Sequence, residues 1–228
     1  MTHKKRPTKR TKKPPRKPPR PDDSTGVTPG TAAAAPGVTP TNHHSQAKII
    51  CIFGKRGSGK STLAKKFLHG KPRVIVFDAL GEYDGERFDN LGELLARIRN
   101  RARFSVVYRP RDARAEFPWL ARIAYEVGSL CLVAEEISWA ISPAKMPVEI
   151  ETLIRYGRHR DVELIGISRR PAEVNRDLTS NANEIYIFRT HEPRDVDYFR
   201  KVIGSAADGL PNLPPYTPHV WRDVPPEI

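Results

Sequence analysis

From Ile49 onward the chain alternates short, nearly unbroken apolar runs with longer amphipathic stretches. Runs from Ile49 to Phe53, Arg73 to Phe77, Phe104 to Tyr108, Leu130 to Ala134, Val162 to Ile167 and Glu184 to Phe188 have the length and β-branched content of strands buried on both faces. Between them, Lys60 to Leu68 and Phe88 to Arg99 read as helices, the latter placing Leu91, Leu94, Leu95 and Ile98 on one face. Phe117 to Val127 is a third, with Leu120, Ile123, Ala124 and Val127 turned inward, and Pro147 to Tyr156 a fourth, its proline early enough that the missing N–H costs little. Regular strand–helix alternation predicts an α/β fold, a mainly parallel sheet covered by helices.

The pattern is absent at both ends. Residues 1–21 carry ten Lys or Arg and no acid, interleaved with six prolines. Of the formal charge of +13, they supply +10, leaving +3 for the rest. Such a segment cannot build an apolar core, and we expect a disordered basic arm that attracts nucleic-acid phosphates or another polyanion. Residues 22–47, rich in Thr, Gly, Pro and Ala, read as a flexible linker. Residues 204–228 hold six prolines with Tyr216 and Trp221 among them, and are expected to form an aromatic-anchored strap over the domain or a partner-docking tail. The apolar runs are strand-sized, so no secretory or transmembrane segment is expected and a cytoplasmic location follows. Cys51 and Cys131 both fall inside predicted strands and read as small core residues.

The first strand leads into Gly54-Lys55-Arg56-Gly57-Ser58-Gly59-Lys60-Ser61, and a helix follows. Glycines at this spacing let successive backbone N–H groups face a triphosphate, while Lys60 reaches its outer phosphates and Ser61 can meet Mg²⁺. Thr62, next in the helix, completes the expected ATP-binding set. Leu132-Val133-Ala134-Glu135-Glu136 supplies the complement, a buried strand ending in adjacent carboxylates. Glu135 is expected on the metal side, directly or through water, and Glu136 as the base that polarises the attacking water. Two further strands and their helices separate this strand from the phosphate loop, and an N-K-x-D base-reading tetrad is missing. Both observations favour ATP hydrolysis coupled to movement over a GTPase or small kinase. Asp78, Glu82 and Tyr83 follow the second strand at the same sheet edge, where they could order water or a subunit contact.

Five ordered segments carry a resemblance: GKRGSGKS, VFDALGEYDG (Val76 to Gly85), LVAEEIS (Leu132 to Ser138), RYGRHRDVELIGISRRPAEV (Arg155 to Val174) and NEIYIFRTHEPRD (Asn183 to Asp195). Together they resemble the HerA/FtsK-type P-loop ATPases, particularly the compact viral and mobile-element DNA-packaging ATPases, over roughly residues 48–203. The resemblance implies a three-layer P-loop sandwich with a RecA-like sheet, a homo-oligomeric ring, commonly a hexamer, and ATP- and Mg²⁺-dependent movement of double-stranded DNA. It matches Lys60 and Ser61 to the phosphate and Mg²⁺ contacts, Glu135 to an acidic metal residue that is more often Asp, and Glu136 to the catalytic glutamate. Ser168-Arg169-Arg170-Pro171 is similar to a strand end in which glutamine senses the γ-phosphate, and here Arg169 takes that position. Arg158, within the Arg155, Arg158 and Arg160 cluster, is the first choice for an arginine completing a neighbour's site, or for a sensor within its own. Arg109 and Arg189 are the alternatives.

The expected function is therefore a DNA translocase that packages viral or mobile-element DNA into a capsid, with capsid or portal proteins as partners and virion association if the source is viral. A conjugation-related DNA pump would share the chemistry. An ATP-dependent DNA-binding or assembly switch with little hydrolysis is the non-motor alternative, which Arg169 keeps open.

Overall fold

The computed structural model describes residues 47–223. The expectations for the basic arm and, apart from Ala47, the linker fall outside the described residues, as do the last five positions. Eight strands form one sheet: β1 (Ile49–Phe53), β2 (Arg73–Phe77), β3 (Glu86–Phe88), β4 (Phe104–Tyr108), β5 (Leu130–Ala134), β6 (Val162–Ser168), β7 (Glu184–Ile187) and β8 (His219–Arg222). Their spatial order is β3-β4-β2-β5-β6-β1-β7-β8, and every pairing is parallel except β7 with β8. Among the described residues six α-helices accompany them: α1 (Lys60–Leu68), α2 (Leu91–Ile98), α3 (Ala113–Val127), α4 (Val148–Tyr156), α5 (Arg176–Ser180) and α6 (Pro193–Ile203).

Helices cover the two faces of the sheet unequally. The larger core joins one face to residues of all helices from α2 to α6, including Leu94, Leu120, Leu153, Leu178 and Phe199. On the other face, α1 is the only helix among the described residues, contributing Ala64 with Leu63, Phe67 and Leu68 at its margin, and Tyr83 from the loop after β2 fills in beside it. Alternate residues of β1 divide between these cores, Cys51 and Phe53 to one and Ile50 and Ile52 to the other, as strand geometry requires.

Three elements depart from the sequence pattern. Phe88 ends a short edge strand and does not begin a helix; α2 starts at Leu91, after Asn90 caps it by accepting from the N–H groups of Gly92 and Glu93. Three strands, not two, therefore lie between β1 and β5 along the chain. Helix α3 begins four residues before Phe117, where the apolar stripe starts, because Asp112 caps Arg114 and Ala115 while Glu116 accepts from the N–H groups of Arg111 and Asp112. Beyond residue 203 the chain forms a 3₁₀ segment, Gly204–Asn212, which buries Ala207 and Leu210 in the larger core. It then returns as β8, with Trp221 packed on that core opposite Ile185.

Candidate nucleotide site

Every parallel strand ends on one side of the sheet, and the phosphate loop, both glutamates and Arg169 all emerge there. Strand β1 pairs with β6 such that Phe53 faces Ser168, and the Gly54 N–H donates to the Ser168 carbonyl at 3.3 Å. The loop thus starts hydrogen-bonded to the tip of β6. Strand β5 stands on the far side of β6, so its carboxylates approach the loop across an intervening strand whose own tip carries Arg169.

Close packing dictates the first glycine of the loop. A Cβ on Gly54 would stand 2.7 Å from both the Phe188 Cβ and the Ser58 Oγ. Gly57 and Gly59 have φ of +74° and +103°, values that L side chains rarely adopt, and Gly59 caps α1 in a left-handed conformation. The Ser58 hydroxyl is buried without a hydrogen-bond partner. Lys60 is buried on α1, its ammonium donating to the Lys55 carbonyl at 3.1 Å. Burial lowers the Lys60 pKa, against the upward pull of Glu135, Glu136 and Glu82.

Glu135 is buried, accepts from the Tyr83 hydroxyl at 3.1 Å, and is pushed up to about 7 by burial and by the nearby Glu82 charge. Glu136 sits at the turn after β5 with φ 49° and ψ 51°, a left-handed conformation that lets two consecutive carboxylates serve one side of the sheet. One of its oxygens accepts from the Ser138 hydroxyl at 3.0 Å and the Arg169 backbone N–H at 3.3 Å, and the other meets the Arg169 Nε at 3.2 Å.

The loop after β2 adds a group whose position the sequence left open. Asp78, fully buried, accepts from the N–H groups of Glu82 and Tyr83 at 2.8 and 3.1 Å and pairs with Arg109 at 3.5 Å. Arg109 also donates to the carbonyls of Gly81 and Tyr83. Asp78 is therefore a scaffold that folds the loop back over α1, and it delivers Glu82 to Ser61, whose hydroxyl donates to the Glu82 carboxylate. Lys65 holds the same turn through the Glu82 carbonyl at 2.7 Å.

One cleft of about 670 Å³ is lined by Lys60, Ser61, Thr62, Glu82, Glu135, Glu136 and Arg169, and on its other flank by Phe188, Tyr216 and Pro218. Tyr216 and Pro218 escaped sequence reasoning as site residues, because nothing in a proline-rich tail signals return to the phosphate loop. Among the predicted residues, Gly54, Lys55 and Ser58 shape the loop without lining this cleft, and Arg56, Gly57 and Gly59 line it.

Arg158 is not brought to it. The 3₁₀ turn Gly157–Arg160 precedes β6, whereas Arg169 follows that strand, so the two stand at opposite sheet edges, roughly 20 Å apart by the rise per strand residue. Within its own subunit, Arg158 therefore does not line the cleft. Arg155 pairs with Glu151 and Asp177, and Arg160 donates to the carbonyls of Tyr125 and Glu126.

Residues 47–184 match the family model described as helicase HerA, central domain. Among solved structures, the genome-packaging NTPase B204 of Sulfolobus turreted icosahedral virus 2 with ATP-γS superposes with a TM-score of 0.67 at 22% identity, covering 77% of this chain and 92% of that one. Its complex with AMPPCP gives 0.67 at 23% with the same coverage. The DNA-packaging ATPase B204 of Sulfolobus turreted icosahedral virus gives 0.62 at 21%, again over 77% and 92%. No curated protein matches the chain by sequence.

Proposed function

Since the chain belongs to the HerA central-domain family of P-loop ATPases, we propose that it is an ATP-hydrolysing translocase of double-stranded DNA that packages a viral or mobile-element genome into a capsid. The observation that carries the reading is the convergence, in one cleft, of a phosphate loop, two strand-end carboxylates and a cationic residue from the next strand. The likeness to packaging ATPases favours packaging over conjugative transfer.

In this reading the amides of residues 54–61 and the Lys60 ammonium hold the β- and γ-phosphates. Ser61, Glu82 and Glu135 offer hard oxygen donors suited to Mg²⁺, which takes one or two carboxylates together with phosphate oxygens. Among the described residues no group of three or more His, Cys, Asp or Glu could hold a metal alone, so the phosphates would have to complete the shell. Bound there, Mg²⁺ would offset charge on the phosphates. Glu136 takes a proton from the attacking water, and a neighbouring subunit's arginine, Arg158 first among the candidates, reaches the transferring phosphoryl group from the opposite sheet edge. The ring, its hexameric form, the capsid or portal partners and a cytoplasmic or virion-associated location belong to this proposal. So does capture of DNA by the arm at residues 1–21, through phosphate contacts that salt weakens.

ATP turnover measured with and without long double-stranded DNA, at two salt concentrations and beside Glu136→Gln, tests the reading. DNA-stimulated turnover abolished by the substitution is expected. Tight ATP binding with no stimulation at either salt would overturn it.

A second reading has one specific observation behind it. Both oxygens of Glu136 are engaged, one of them by the Arg169 guanidinium. An arginine that occupies the base slows hydrolysis, which suits an ATP-dependent switch. Under this reading Arg169→Gln speeds turnover; under the motor reading, with Arg169 as a charged γ-phosphate sensor, the same substitution slows it.

A further inference from the structure

The turn at residues 213–218 combines strain, exposure and position in a way that structural support alone does not explain. Strand β8 runs antiparallel to β7 with His219 opposite Ile187, so the turn feeding β8 stands at the sheet edge where β7 ends. The phosphate loop follows β1, on the other side of β7. Within the turn the Thr217 N–H donates to the Pro214 carbonyl at 3.4 Å, Pro215 takes the second position, and Tyr216 takes the third with φ +59°. Glycine or asparagine ordinarily fills a positive-φ position after proline, and an aromatic there stores strain. Tyr216 does not repay that strain by burial, since 74% of its surface is exposed.

What the strained backbone achieves is presentation. The Tyr216 Cδ1 lies 3.4 Å from the point where a Cβ on Gly59 would stand, and the Phe188 ring 3.6 Å from the same point. Tyr216 and Pro218 thus wall the cleft on the β7–β8 side of the phosphate loop, with Arg56, Leu63 and Lys66 also in its lining. The glutamates and Arg169 lie on the other side, at the tips of β5 and β6. A triphosphate seated on the loop with its γ-phosphate toward Glu136 directs its nucleoside toward Tyr216.

We infer that the 213–218 turn is the nucleobase platform of the site and that Tyr216 stacks on a purine base, an inference that rests on the phosphate-loop reading above. Stacking is tolerant of base identity. Among the described residues, this flank of the cleft shows cations and apolar groups but no carboxylate or amide side chain to read a base edge. The platform therefore does not distinguish one purine nucleoside triphosphate from another, and ATP and GTP bind alike.

Calorimetry on the full chain with Mg²⁺ and, separately, ATP, GTP and inorganic tripolyphosphate tests this. Tyr216→Ala is expected to weaken both nucleotides about tenfold, in line with an aromatic–base stack, and to leave tripolyphosphate unchanged, while Tyr216→Phe binds like the parent. Tyr216→Gly should weaken both nucleotides as well, yet melt no lower than the parent, because it relieves the positive φ. If Tyr216→Ala binds ATP as tightly as the parent, or loses ATP and tripolyphosphate equally, the platform is wrong and the phosphate site stands. If the parent binds neither ATP nor tripolyphosphate, both readings fall.

Discussion

The two edges of the sheet hold the same kinds of side chain and treat them in opposite ways. At the edge where strands begin, Lys48 meets Glu184 at 2.8 Å, Lys71 meets Glu163, and Tyr186 donates to Glu184 at 2.6 Å. Although burial pushes the other way, the bonds from Lys48 and Tyr186 hold the Glu184 carboxyl below its ordinary value, and the bond to Glu163 holds the Lys71 ammonium above its own. At the edge where strands end, Lys60 donates to a carbonyl, Glu135 accepts from a neutral phenol, and burial moves the lysine down and the carboxyl up. One edge is electrostatically finished. At the other, Glu136 pairs with Arg169 and Asp78 with Arg109, but Lys60 and Glu135 make no close contact with a charge of opposite sign, which a polyphosphate and a divalent cation would supply. Charge type says little about function here; the state of pairing says much.

The same lysine substitution at the two edges should separate them most widely. Lys60→Met is expected to cut ATP turnover at least about 100-fold, the scale on which a lost electrostatic contact to a transition state is felt. It should not lower the melting temperature, because it removes a buried cation that lacks a carboxylate contact. Gly54→Ala should come next: the added methyl meets Phe188 and Ser58, overpacking of the kind that costs about 1–3 kcal/mol in denaturant unfolding, and turnover falls with it.

Acid–base behaviour offers a third break. The folded pKa of Glu135 is raised, so the stability it contributes is full below the ordinary carboxylate value of 4.5 and is lost as pH rises through about 7. In divalent-free buffer, Glu135→Gln should therefore gain on the parent across that window, by up to about 3 kcal/mol. Glu184, whose folded pKa is depressed, runs the other way: its contribution is present above the ordinary value and disappears on acidification through the folded one. Denaturation midpoints across pH for the parent, Glu135→Gln and Glu184→Gln check both signs. The smallest effect belongs to Lys71→Met, which breaks a part-exposed pair and should cost no more than about 1 kcal/mol, with turnover unchanged.

The parts that were legible before the structure are those whose chemistry is local. Uninterrupted apolar runs gave six of the eight strands to within one residue, since strands buried on both faces need no alternation to be recognised. Spacing within the glycine-rich loop likewise carries its own geometry. Strand β3, Glu-Arg-Phe at the sheet edge, has neither length nor apolar pattern, and only its register with β4 makes it a strand. The apolar stripe marks only part of helix α3, because capping by Asp112 and Glu116 starts the helix ahead of it. Glu82 stands out by its place after β2, but its reach to Ser61 depends on Asp78 folding the loop back, a contact between elements that spacing does not encode. Tyr216 lies 157 residues beyond Gly59 and meets it only because β8 pairs with β7. Arg158, expected to complete a neighbour's site or to act as a sensor in its own, precedes β6 and so stands a strand's length from the cleft of its own subunit.

Strand β6 lies between β1 and β5, paired with β1 over Leu164–Ser168 and with β5 over Val162–Gly166. At one tip stands Arg169, against Glu136; just before the other comes the basic turn Gly157–Arg160. A stiff strut of this kind does not stretch. Arg169 and the basic turn are thus held at opposite rims of the sheet, their separation set by the length of one strand that its neighbours keep in register.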